Sequence, residues 1–129
     1  MVSTNSAAAD TAKSSEGRGL LIHTAGPLEQ EDLAGVLRSA SNARASLGPG
    51  NGIEVLIQGP GVKLLAMNAS ATEAVKSAGQ LDVSILACGN SMRAAGLEEK
   101  DLGPGVGMVP AAIAHLARRQ WDGWAYTRP

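Results

Sequence analysis

Cys88 is the single cysteine of the chain, and its surroundings are those of a reactive thiol. It follows the apolar run Val83-Ser84-Ile85-Leu86-Ala87 and precedes Gly89-Asn90-Ser91-Met92. A thiol between a strand and a helix gains from the helix dipole and from free backbone N–H groups, both of which favour the thiolate. Arg93 stands nearby in sequence and can add positive charge. Such a group serves as a nucleophile or a sulfur carrier. The competing reading is a small packed hydrophobe, because free cysteine is among the most buried residue types.

Other strand ends supply further candidates, since ligands in open α/β sheets bind beyond the carboxyl ends of the strands. His23 follows Leu20-Leu21-Ile22 and reads as a base or ligand partner, or as a side chain satisfied by backbone. Asn90 and Ser91 read as donors beside Cys88 or as caps of the next helix. Gly59, in Gly59-Pro60-Gly61, can offer its N–H to a small anion. A third glycine is missing there and no Gly-Lys-Ser/Thr follows, so neither a dinucleotide nor a P-loop fingerprint is complete. His115 reads as a surface or subunit-interface residue in mid-helix. One cysteine and two histidines exclude a disulfide framework and a Cys-rich or His-rich metal site. No metal and no cofactor are expected.

These residues require a frame of alternating strands and helices. Strands are expected at 20–22, 53–58, 83–87, 106–109 and 124–127. Helices are expected at 27–47, 71–78, 90–95 and 110–120, with a short helical segment at 62–67. Leu33, Val36, Leu37 and Ala40 mark the apolar face of the first helix, and Pro27 suits its first turn. Ser70 and Glu73 have the spacing of a capping box. Leu97–Leu102 reads as a charged, solvated connector. The alternation predicts an α/β fold, a three-layer α/β/α sandwich with a five-stranded, mostly parallel sheet.

The 129 residues amount to one domain. Residues 1–17, rich in Ser, Ala and Thr, lack the basic start and apolar run of a signal peptide; a disordered tail is expected, with a single domain at 18–129 and a cytoplasmic location. A net charge of −1 argues against a dedicated nucleic-acid or membrane-surface protein, which usually carries a basic excess. No stretch approaches the roughly 20 apolar residues of a membrane span. Trp121, Trp124 and Tyr126 are the only aromatics, too few for a base-stacking platform. Their clustering suits either a subunit interface or packing of the final strand.

Two segments resemble a known family. Ile85-Leu86-Ala87-Cys88-Gly89-Asn90-Ser91-Met92, then Gly96-Leu97, is similar to the strand, cysteine and small helix of DsrE/DsrF-like proteins. Val106-Gly107-Met108-Val109-Pro110 through Ala117, then Gln120-Trp121-Asp122-Gly123, resembles their closing strand, helix and final strand. The likeness runs from about Gly19 to Pro129. It implies a five-stranded α/β fold in a homotrimer or homohexamer, and sulfane sulfur carried as a persulfide. Cys88 matches the sulfur-bearing position. With no second cysteine, transfer would be intermolecular, from a sulfur donor protein to Cys88 and on to a thiol of an acceptor protein. The alternatives are a non-enzymatic oligomeric binding or structural protein with Cys88 buried, and a small-anion or nucleotide binder.

Overall fold

The structure, a computed structural model, describes residues 18–129. The tail expected at 1–17 lies outside the described residues. Five strands, β1 (Gly19–Thr24), β2 (Gly52–Ile57), β3 (Ser84–Cys88), β4 (Val106–Val109) and β5 (Ala125–Thr127), form one sheet in the order β4-β3-β2-β1-β5. Every pairing is parallel, so the expected "mostly parallel" sheet is parallel throughout. Four helices connect them: α1 (Gln30–Leu47), α2 (Thr72–Gln80), α3 (Gly89–Ala94) and α4 (Ala112–Trp121). The short helical segment is a 3-10 turn, Pro60–Leu65, and the charged connector contains another, Glu99–Asp101.

Connection handedness distributes the helices. From β1 to β4 the chain steps steadily towards one edge. Right-handed crossovers place α1, α2 and α3 on one face, where their apolar residues pack on Ile22, Ile53, Val55, Ile57, Ile85 and Ala87. The step from β4 to β5 runs back across the sheet, so the same handedness sends α4 to the other face. There Ala112 and Leu116 pack on Leu21, Leu56, Cys88, Val109 and Trp124. Trp124 lies over Gly19 and Gly52, which are paired on neighbouring strands and leave no room for a Cβ beneath the ring.

Three local expectations shift. Helix α1 starts at Gln30, not at Pro27, because Gly26 turns the chain at φ 96° and Glu29 and Asp32 form the capping box that starts the helix. The box expected of Ser70 and Glu73 does not form: Ala71 occupies the cap position, and the Thr72 hydroxyl donates back to the Ala69 carbonyl. Helix α2 runs on to Gln80, past the end expected at 78, and Asp82, at φ 61°, makes the reversal into β3.

Candidate functional site at the carboxyl ends of β3 and β4

In an open parallel sheet, a crevice forms where adjacent strands send their connections to opposite faces. Here those strands are β3 and β4: the chain leaves β3 into α3 on one face and leaves β4 into α4 on the other. Cys88 is the last residue of β3, pairs with Val109 of β4, and sits at the N-cap of α3. Both helices therefore begin beside its sulfur. The Ala112 N–H, at the start of α4, donates to Cys88 Sγ at 3.4 Å.

The thiol is 2% exposed. Burial pushes it towards the neutral form. The backbone N–H groups of Ser91 and Ala112, the Ser91 hydroxyl and the Asn90 N–H pull the other way and prevail, holding the thiol below the usual thiol range. The Ser91 hydroxyl is free to donate to sulfur because its oxygen accepts the Gly59 N–H at 2.7 Å. Gly59 has φ 86°, and a Cβ there would stand 2.8 Å from the Gly26 nitrogen, so only glycine closes this loop onto Ser91.

Of the residues picked out by sequence, Cys88, Ser91, Gly59 and the Asn90 backbone come together. The Asn90 side chain does not join them: it accepts from Arg93 on the exposed side of α3, which also withdraws Arg93 from the sulfur. Neither Asn90 nor Ser91 caps α3 through its side chain. The Gly59 N–H that could have met an anion is already engaged with Ser91.

His23 is 5% exposed and is satisfied by side chains, not backbone. Its Nδ1 lies 2.6 Å from the Tyr126 hydroxyl and its Nε2 2.8 Å from Gln58 Oε1. It shares the sheet face of Leu21, Leu56 and Cys88, as strand alternation requires.

His115 corrects the surface or interface reading. It points inward, with Nε2 2.7 Å from Glu54 Oε1, and Arg119 reaches the same carboxylate at 3.2 and 2.7 Å. Burial pushes the Glu54 carboxyl up, but hydrogen bonds from His115 and Arg119, and their charge, hold it below the usual carboxylate range. The Arg119 guanidinium also stacks on Trp124, 4.5 Å from the ring centroid. Sequence reading passed over Glu54 and Arg119 as site residues. The signal was a carboxylate inside Ile53–Ile57, an otherwise apolar run, where an ionised group demands a partner.

A separate depression lies elsewhere, at the amino ends of β3 and β4. It measures about 540 Å³ and is lined by Val75, Lys76, Gln80, Ser84 and Pro104 among others. Among the described residues, no group of three or more His, Cys, Asp or Glu side chains is arranged to hold a metal ion, and no helix is long and apolar enough to cross a membrane.

The model of the DsrE/DsrF-like family matches residues 20–127. The chain belongs to this family. Its fold is similar to that of a protein of unknown function from Methanobacterium thermoautotrophicum, at 28% identity and a TM-score of 0.78, with 87% of this chain and 99% of that one covered. The ychN protein of E. coli shares the fold at 14% identity and a TM-score of 0.69, covering 85% and 99%. A conserved protein of unknown function from Bacteroides thetaiotaomicron does so at 17% and 0.68, covering 92% and 99%. No curated protein matches this DsrE/DsrF-like chain.

Proposed function

We propose that this DsrE/DsrF-like protein carries sulfane sulfur on Cys88 and hands it to a thiol of another protein. The supporting observation is the donor nest around Sγ: neutral N–H and O–H groups favour the thiolate without placing a cation on it. The Cys88 thiolate attacks the outer sulfur of a donor persulfide. A new S–S bond forms at Cys88, the donor's S–S bond breaks, and the donor leaves as a thiolate with the bonding electron pair. The acceptor's thiolate then attacks the outer sulfur and releases Cys88 as a thiolate, so no oxidant is consumed. No metal or cofactor is part of this chemistry. A reducing cytoplasmic compartment, where a lone thiol persists, belongs to the same proposal.

The protein is also proposed to be a homo-oligomer, a trimer or a dimer of trimers by the family resemblance. Ile113 and Trp121, two turns apart on α4, are 63% and 81% exposed. An apolar helical stripe of this kind is suited to cover by another copy. Trp124, in contrast, is buried within its own subunit.

Incubation with a persulfide donor, followed by intact-mass analysis, tests sulfur carriage. The expected result is a reductant-labile gain of one sulfur, absent in Cys88→Ser. The near-complete burial of Cys88 favours a second reading, an oligomeric binding or structural protein. No sulfur uptake, together with alkylation of the native thiol slower than in the unfolded chain, would establish that reading instead.

A further inference from the structure

His23 is one of the buried polar side chains on the sheet face covered by α4. Both its ring nitrogens meet side chains, from residues 35 and 103 positions away in the chain. With Gln58 Oε1 as acceptor, His23 Nε2 carries the proton, and Nδ1 accepts from the Tyr126 hydroxyl. The three groups thus form one directed chain: Tyr126 O–H to His23, His23 N–H to Gln58. The rings of His23 and Tyr126 are tilted at 55°, with centroids 5.6 Å apart. Tyr126, 38% exposed, is the end nearer solvent.

The other end of the chain is the Gln58 carboxamide. Its oxygen is held by His23, and its nitrogen donates to no other described residue. The parallel register pairs Leu56 with Leu86 and Ile57 with Ala87. The same register, carried one residue past its last pair, sets Gln58 opposite Cys88. The Gln58 N–H bonds to the Thr24 carbonyl, which extends the ladder to β1 by one position. Its side chain shares a face with His23 and Leu56, the face of Cys88. The next residue, Gly59, is tied to Ser91 beside the sulfur.

We propose that the Tyr126–His23–Gln58 chain positions the outer sulfur carried by Cys88, by aiming the Gln58 carboxamide N–H groups at it. This rests on sulfur carriage by Cys88. The donors that stabilise the thiolate all act on Sγ itself. Once a persulfide forms, the anionic charge moves to the outer sulfur, beyond the reach of those groups. A neutral donor held on the adjacent strand meets the charge at its new position, and a carboxamide does so without giving up a proton to it. Polarisation along the chain strengthens the terminal N–H. Gln58, His23 and Tyr126 are therefore positioning residues, and the bond exchanges remain those of the thiols.

The test measures the rate of sulfur uptake from a small persulfide donor by intact mass, beside alkylation of the native thiol with iodoacetamide. Gln58→Leu is expected to slow uptake roughly ten- to a hundredfold, the weight of one hydrogen bond to a charged acceptor, and to leave alkylation unchanged. Tyr126→Phe keeps the ring and is expected to slow uptake about threefold. Added to Gln58→Leu, it should have no further effect, because it acts through Gln58. Uptake by Gln58→Leu at the wild-type rate overturns the proposal, as does an equal loss of uptake and alkylation, or independent effects in the double variant. Failure of the wild-type protein to take up sulfur overturns the carrier reading itself, and this inference with it.

Discussion

Glu54 and Cys88 stand on neighbouring strands, on the same face of the sheet and beneath the same helix, and both are held below their usual titration ranges despite burial. They reach that state by opposite means. Glu54 meets basic side chains, and His115 and Arg119 bind both its oxygens. Cys88 faces only dipoles: three backbone N–H groups and one hydroxyl. A carboxylate sealed at both oxygens by basic side chains is a clamp for α4. A thiolate held by neutral donors keeps its charge and its lone pairs available. The first arrangement suits structure, the second chemistry, and α4 serves both because its first N–H reaches the sulfur while its third turn carries Arg119.

The largest expected effect tests the clamp. Glu54→Ala leaves His115 and Arg119 without their buried partner, and is expected to cost about 3–5 kcal/mol of stability in denaturant unfolding. A cost near zero would mean that α4 is held by apolar packing alone. The folded-state value of Glu54 lies below its unfolded value of about 4.3. Its contribution is therefore fully present above that pH and is lost as pH falls through the lower, folded value. Glu54→Ala should accordingly lose this acid dependence when unfolding is followed against pH.

A smaller effect tests the nest. Ser91→Ala removes the hydroxyl donor to Cys88 and the acceptor of the Gly59 N–H. The thiol midpoint, read from the pH dependence of iodoacetamide alkylation, is expected to rise. An unmoved midpoint would place the thiolate's stability in the backbone groups alone. The smallest effect on stability concerns the outer side of the same helix. Trp121→Ser is expected to change monomer stability by no more than about 0.5 kcal/mol while shifting assembly, by light scattering, towards the monomer. Unchanged assembly would separate α4's outer stripe from any contact between copies.

Much of the frame was legible in the chain. Apolar runs of strand length alternating with helical spacing produced all five strands and four helices, and the position of Cys88 at a strand-to-helix junction followed from its neighbours alone. Element starts were less legible. Pro27 and Ser70 are sound helix-start signals, but Gly26 and Glu29 compete with the first, and the Thr72 back-bond with the second. Partners of polar groups were not legible at all. His115 pairs with a residue 61 positions away and His23 with one 103 away, and periodicity carries no information across such separations.

The sequence by itself determined a parallel α/β domain with one thiol at the end of its third strand, because local spacing and side-chain size decide which segments extend and which coil. Only the tertiary structure decided that this thiol sits where the connections part to opposite faces. Right-handed crossover places α4 alone on the second face and brings the Ala112 N–H, 24 residues on, to Cys88. It likewise decided that Glu54 is a clamp and that His23 is the middle of a chain. The physical reason is the same each time: a buried polar group must find its partner in space, and proximity in space is a property of the assembled sheet.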